Sequence, residues 1–206
     1  MQLLTLNRLN PNQKYSERQI SPHFWPNGKL PERADWGQLA RNGFRDYRLK
    51  VGGLVENQAE FALSDLQRLG KVEHITMHHC IQGWTGIAKW GGIPMRAIIE
   101  LVRPLPPARV AAFFSFGPSL YGGAYYDTQR IEDVLKPECI LAFEMNGRAL
   151  PEVYGAPLRL RVENQLGYKM VKWIERIEFI ESEKLVGKGE GGKNEDDEYF
   201  DLLPNI

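Results

Sequence analysis

HITMHHCIQGWTGIAKWGG, residues 74–92, carries three of the chain's four histidines, one of its two cysteines and two of its five tryptophans. Extended back to Lys71, the run KVEHITMHHC is rich in β-formers. Alternation places His74, Thr76, His78 and Cys80 on one face, with Ile75, Met77 and His79 on the other. A strand that delivers a cysteine and an imidazole to one side is a candidate site, and three readings compete for it. Cys80 is a small buried apolar residue, a nucleophile activated by His78 or His79, or a thiolate ligand of a redox metal.

Downstream, GG and then Pro94 precede PMRAIIELV, whose apolar Met95, Ile98, Ile99 and Val102 predict a helix starting at Pro94 and ending at Val102. RVAAFFSF reads as a buried strand, GPSLYGGAYYD as a glycine- and tyrosine-rich loop, and IEDVL as a short helix closed by Pro137. CILAFEMNGRALP reads as a strand with an Asn146-Gly147 turn, and APLRLRVE and VKWIERIEFIE as further strands. Upstream, YRLKVGG and AEFAL form a strand pair around a turn at Glu56 to Gln58, and LSDLQRL a helix of one or two turns capped by Ser64. The sum is a mixed α+β domain, β-rich with short helices, over residues 44–182. Residues 1–43, punctuated by proline and glycine, predict an irregular arm wrapped over that domain. Residues 183–206 predict a surface tail tethered by Tyr199, Phe200 and Leu202.

Composition narrows the function classes. The 206-residue chain balances 26 Lys and Arg against 26 Asp and Glu, which gives no field toward nucleic acid or an anionic membrane. The start lacks the charged and apolar regions of a secretory signal, so the chain as written is expected in the cytoplasm, or outside it if this is a processed or partial chain. Two cysteines without CxxC spacing argue against a disulfide scaffold or a structural zinc-thiolate site. GxGxxG, GxxxxGKS and HExxH motifs do not occur.

The run from Cys80 onward, CIQGWTGIAKWGGIPMRAIIELV, resembles the molybdopterin-binding domain of the sulfite oxidase family. The likeness is to its haem-free bacterial branch, which includes the catalytic subunit of periplasmic methionine sulfoxide reductase. It extends from about Ser21 over nearly the whole chain. YRLKVGGLVENQAEFALSDL is similar to the family's first hairpin, NGRALPEVYGAPLRLRVENQLGYKMVKWIERIEF to its second cofactor-binding stretch, and DEYFDLLPNI to the tail of some bacterial members.

The resemblance implies a sulfite-oxidase-type fold, a molybdenum-molybdopterin cofactor and a set of site residues. Cys80 matches the molybdenum ligand. Arg159 in GAPLRL matches the arginine that holds the cofactor phosphate, and Met170, Val171 and Lys172 match a segment that also contacts it. Arginine suits that task because its planar fork offers two charge-assisted donors at once. Ser115 in FFSF falls where relatives place a Thr or Asp bonded to the pterin. Phe24, Trp25 and Asn27 in HFWPNG match the arm loop that closes over the pterin, and Tyr154 takes a position usually held by His or Asn.

Sulfite oxidases grip their dianionic substrate with arginines at positions that here read Pro26 and Thr85. Each missing charge-assisted contact is worth about 1.5–3 kcal/mol. The expected activity is therefore two-electron oxygen-atom transfer that reduces a small sulfoxide or N-oxide. Sulfite oxidation and a non-catalytic molybdopterin-binding or electron-transfer module are the alternatives, and a Cys80 thiol hydrolase is a distant third. The chain as given carries neither a haem domain nor an immunoglobulin-like dimerisation domain, which implies a separate redox partner or small electron acceptor and a monomer. His78 and His79 stand open between a proton donor beside the metal and ordinary core histidines. Tyr121, Tyr125, Tyr126 and Asp127 stand open between a substrate entrance and a surface loop, and Cys139 is expected to be structural.

Overall fold

The computed structural model describes residues 14–197 and Pro204, so the expected tether of Tyr199, Phe200 and Leu202 lies outside the described residues. In chain order the elements are α1 (Ala34–Arg41), β1 (Arg48–Gly53), β2 (Ala59–Ala62), α2 (Leu63–Arg68), β3 (Val72–His79), β4 (Thr85–Pro94) and α3 (Met95–Val102). They continue with β5 (Val110–Pro118), β6 (Ala124–Arg130), α4 (Ile131–Val134), β7 (Ile140–Met145), β8 (Arg148–Ala149), β9 (Arg159–Arg161), β10 (Ile174–Ile180) and α5 (Lys193–Asp197). The strands make two sheets, one ordered β2-β1-β10-β5-β6 and one ordered β3-β4-β7-β8 with β9 also paired to β7. The β1–β10 pairing is parallel and the other strand pairs of both sheets are antiparallel. No helix among the described residues is long and apolar enough to cross a membrane.

Alternation explains the layers. Leu49 and Val51 of β1, Ile177 and Phe179 of β10 and Phe113 of β5 pack with α3 and with Leu141 and Phe143 of β7 into the main core. The intervening β7 residues, Ile140 and Ala142, face the other way with Ala88 and Trp90 of β4 into a second cluster, which Met145 at the end of β7 joins and Phe24 of the N-terminal arm closes. The second sheet is thus buried on both faces, and the arm supplies part of its cover.

Several elements depart from the sequence expectations. The arm contains a helix, α1, which buries Trp36 in the main core, its indole Nε1 donating to the Ala156 carbonyl at 3.3 Å. Arg33 at its N-terminus grips Glu175 of β10 with bonds of 2.7 and 2.9 Å. Ser64 lies inside α2, and the cap comes instead from Asp65, whose carboxylate accepts the Ala62 amide at 2.8 Å. Pro94 is the last residue of β4 and the cap of α3, so the helix begins one residue later than expected. Most consequential, the run from Thr85 through Gly91 and Gly92 to Pro94 is a strand, β4, paired on both sides within the second sheet. Tyr125, Tyr126 and Asp127 belong to β6 and not to a loop. The NG turn is as expected, with Asn146 and Gly147 at φ 52° and 74° joining β7 to β8.

Gly91 and Gly92 mark a register shift between β4 and β7. A Cβ at Gly92 would press on the Leu141 carbonyl and on the Ala142 Cα at 2.7 Å, both backbone atoms that cannot swing aside. Gly92→Ala is therefore expected to destabilise the fold by about 1–3 kcal/mol, the usual cost of overpacking, read as a lowered urea midpoint. A variant with the wild-type midpoint would show that the two strands can separate locally.

Candidate functional site

The β3–β4 hairpin turns through residues 80–84. The Cys80 amide donates to the Trp84 carbonyl at 3.0 Å and the Gly83 amide returns to the Cys80 carbonyl at 3.0 Å, with Gly83 at φ 90°. Cys80 thus sits at the hairpin tip, 8% exposed, on the rim of a cavity of about 450 Å³. The rest of that wall comes from the arm loop, the ends of β5 and β6, β9, the segment before β10, and Asn194 of α5.

Of the residues singled out in the sequence, Phe24, Trp25, Asn27, Cys80, Ser115, Tyr154, Arg159, Met170 and Lys172 all line this one cavity. Val171 does not. Its side chain is in the main core, and its carbonyl accepts the Leu160 amide at 2.8 Å, which holds β9 against the chain before β10. The hydroxyl of Ser115 is occupied, donating to the Lys172 carbonyl at 2.7 Å and accepting from the Gly117 amide at 2.8 Å. Ser115 therefore fixes the wall and retains little hydrogen-bonding capacity for a ligand.

Asn27 spans the cavity. Its side-chain amide donates to Cys80 Sγ at 3.3 Å and to Gln82 Oε1 at 3.4 Å, and its backbone carbonyl accepts from Lys172 Nζ. The arm loop is held from below by Tyr154, whose hydroxyl donates to the Phe24 carbonyl at 2.7 Å. Ser21 fastens it at the β4 edge through two bonds with Ile87, each 2.9 Å. The Phe24 ring packs at 5.5–5.9 Å against His78, Trp84, Trp90 and Tyr154. Trp25 is 58% exposed at the mouth, beside Leu120 at 67%.

The electrostatics divide the cavity into two ends. Arg159 and Arg161 share a face of β9 by the two-residue strand period, and both are buried, at 4% and 0% exposure. The next residue of the same parity, Glu163, takes Arg161 in a two-pronged pair of 2.7 Å bonds. Arg159 makes one bond, to the Tyr154 carbonyl at 2.9 Å, and lies over Trp90 at 4.7 Å; its Nε is buried with no partner. Burial, and next the Arg161 charge, hold Arg159 below the usual guanidinium range, with Glu163 opposing. Across from it, burial and then Arg159 lower the Lys172 ammonium to about 7. Among the described residues the lining contains no carboxylate. A buried guanidinium and an ammonium short of anionic partners mark a place for an anion, and phosphate is the group that Arg and Lys together best complement.

At the other end the groups are neutral. Burial raises the Cys80 thiol, against the Gln82 amide and the Asn27 side chain, which favour its anion. Among the described residues no cluster of three or more His, Cys, Asp or Glu could hold a metal, so a metal here would have Cys80 as its protein ligand and take its other ligands from a cofactor.

His78 lines the cavity and His79 does not, as the alternation requires. Burial, then Arg161 and Arg159, push His78 well below its ordinary value, so it is neutral. Tyr125 lines the cavity and donates to the Tyr168 carbonyl, whereas Tyr121 lies outside it, 59% exposed. Tyr126 bonds Asp196 of α5. Asp127, fully buried, pairs with Lys169, which also binds Glu195 of α5 at 2.7 Å, so α5 is latched over the rim. Cys139 is free, buried and remote from the lining. The sequence reading passed over Arg161, Glu163, Tyr168 and Lys169. The parity of Arg159, Arg161 and Glu163 in RLRVE is the signal that could have found the first two.

Residues 37–186 match the family model described as the oxidoreductase molybdopterin binding domain. A protein of Azospira oryzae, provisionally named a protein-methionine-sulfoxide reductase subunit (YedZ1), is 33% identical over 131 residues, covering 64% of this chain and 48% of that protein. The protein-methionine-sulfoxide reductase catalytic subunit MsrP of Ralstonia nicotianae is 27% identical over 170 residues, 78% of this chain and 51% of the relative. The chain spans about half the length of the curated relatives it matches. Among solved structures, the sulfane dehydrogenase SoxCD of Paracoccus pantotrophus superposes with a TM-score of 0.59 at 24% identity, over 67% of this chain and 39% of that one, which establishes the fold.

Lys172 gives this site a measurable signature. Its folded-state value of about 7 lies below the ordinary value of about 10.4, so between these the unfolded chain holds a proton that the folded chain has lost. Its contribution to stability therefore rises as pH goes from about 7 to about 10. Thermal unfolding of the cofactor-free protein should show that rising limb, and Lys172→Met should flatten it while raising the midpoint at neutral pH. A variant that keeps the wild-type slope would mean that Lys172 is hydrated.

Proposed function

Because the chain belongs to the oxidoreductase molybdopterin-binding domain family, we propose that its cavity holds a molybdenum-molybdopterin cofactor, with the phosphate at Arg159 and Lys172 and the molybdenum on Cys80. The observation that carries this is the joining, in one cavity whose described lining has no carboxylate, of a buried cysteine to a buried guanidinium whose Nε lacks a partner. The residues fit the group at both ends. The basic end supplies charge-assisted donors to a dianion, and the other end supplies a soft sulfur ligand whose proton the metal displaces. Between them, Asn27 links the two sites and Phe24 and Trp25 of the arm loop cover the pterin. When bound, the cofactor supplies two-electron oxygen-atom transfer.

The reaction favoured is reduction of a neutral sulfoxide or N-oxide: for a sulfoxide, two electrons and two protons convert it to the thioether and water. Support comes from charge. The surroundings of Cys80 are the neutral Asn27, Gln82 and Trp84, and positions 26 and 85 hold proline and threonine. A sulfite dianion entering there finds no arginine at positions 26 and 85 to grip it, whereas a neutral S=O dipole loses little and can accept from amide or indole donors. The names of the relatives, sulfoxide reductases, point the same way. The exposed Trp25 and Leu120 at the mouth suit an apolar substituent on the substrate. Electrons come from a separate redox partner, in keeping with relatives named as catalytic subunits.

Expressed in a host that makes molybdopterin, the protein should carry about one molybdenum per chain by elemental mass spectrometry. Cys80→Ser should lose the metal or alter its electron paramagnetic resonance signal while remaining folded. The loaded wild type should reduce a dialkyl or aryl sulfoxide with a dye donor and oxidise sulfite at least tenfold less efficiently. Preferred sulfite turnover would reverse the assigned direction, and loading without turnover of any of these substrates would make the domain a non-catalytic carrier.

A further inference from the structure

His78 is held by a chain of contacts that the cavity reading leaves unused. Glu163 receives Arg161 through Nε and Nη2, at 2.7 Å each, and the remaining terminal nitrogen, Nη1, stands 3.1 Å from His78 Nδ1. All three side chains are buried, at 3%, 0% and 5% exposure. A guanidinium has donors and no acceptor, so Nδ1 can only accept from it, and the imidazole proton must be on Nε2. Arg161 cannot drift out of this role, because the carboxylate fixes its plane and Trp90 lies against its face at 4.3 Å. The imidazole is equally fixed, between the Phe24 ring at 5.5 Å and the Trp84 ring at 5.2 Å.

The free end of that ring points into the cavity. His78 Nε2 makes no hydrogen bond among the described residues, and a Cβ on Gly167 would collide with it, so the glycine keeps the space beside the N–H clear. His78 also shares the strand face that leads to Cys80, two residues and so about 6–7 Å further along the backbone. An N–H that faces the cavity and has no protein acceptor is free to donate to an acceptor on a ligand.

We propose that Glu163, Arg161 and His78 form a tautomer lock whose output is a fixed Nε2–H hydrogen bond to an acceptor on the pterin-dithiolene ligand of the cofactor. The inference rests on the cofactor assignment above. His78 in this role is a binding and positioning group, and Glu163 and Arg161 act through it by denying the proton to Nδ1.

The test uses ¹⁵N-histidine-labelled protein in cofactor-free and loaded forms, beside His78→Phe and Glu163→Gln. The wild type should show a protonated Nε2 and an unprotonated Nδ1 in both forms, with the Nε2–H resonance moving downfield and exchanging more slowly on loading. His78→Phe, which keeps the ring packing, should still load the cofactor on Cys80 but release metal and pterin together on the order of tenfold faster, the equivalent of one hydrogen bond. Glu163→Gln should populate the Nδ1–H tautomer and show part of that loss. An Nδ1–H tautomer in the wild type overturns the lock. Unchanged Nε2–H on loading, together with wild-type pterin retention in His78→Phe, overturns the bond to the cofactor even though molybdenum is present. A folded wild type that takes up no pterin fails the cofactor assignment itself and the inference with it.

Discussion

Two guanidinium groups and one carboxylate are buried together behind β9, and much of the site follows from that inequality. Glu163 neutralises Arg161 and leaves Arg159 with a backbone carbonyl, the face of Trp90 and an orphaned Nε. Burying an unpaired charge costs several kcal/mol in a protein interior, a cost that the anion proposed at Arg159 would relieve. Lys172, facing the same charge, has its proton affinity lowered for the same reason. On that proposal the cost falls on the empty domain and is removed when the anion arrives, which links folding stability to ligand binding.

The remaining architecture delivers chemically different groups to the other end of the same space. The tight hairpin between β3 and β4 projects Cys80, and the arm loop passes over it, secured by Ser21, Tyr154 and Arg33 to three separate parts of the fold. Asn27 is where these meet, since one residue bonds the thiol with its side chain and Lys172 with its carbonyl. A ligand that spans the cavity therefore touches, through one asparagine, both the basic end and the sulfur end. In the proposed function, charge-assisted contacts at the basic end would anchor the cofactor while the residues around Cys80 themselves carry no charge.

The tail contributes as well. Lys169, between Asp127 of β6 and Glu195 of α5, is a buried cation with two carboxylate partners that, overcoming burial, hold its proton above the ordinary range. Its counterpart at Arg159 has too few partners. The contrast separates a cation that closes structure from one left short of partners among the described residues, and the two are ten residues apart in the sequence.

Much of this was legible in one dimension. The alternation of KVEHITMHHC placed His78 and Cys80 together and His79 opposite, the NG turn joined its two strands, and the resemblance carried by the stretches around Cys80 and Arg159 named residues that, apart from Val171, line one cavity. These depend on local periodicity, turn chemistry and motif order, which the chain encodes within a few residues. The sequence reading erred where local signals conflict with tertiary demand. Paired glycines in β4 mimic a turn but serve a register shift against β7, α1 is obscured by prolines and glycines around a helix that docks through Trp36, and the Ser115 hydroxyl is claimed by a carbonyl 57 residues away. The tautomer of His78 and the unmatched charge of Arg159 belong wholly to the tertiary structure. Sequence determined which groups this protein has and which face of a strand each takes; only folding decided which buried charges find partners, because pairing across 83 residues, as between His78 and Arg161, is set by how the sheets pack.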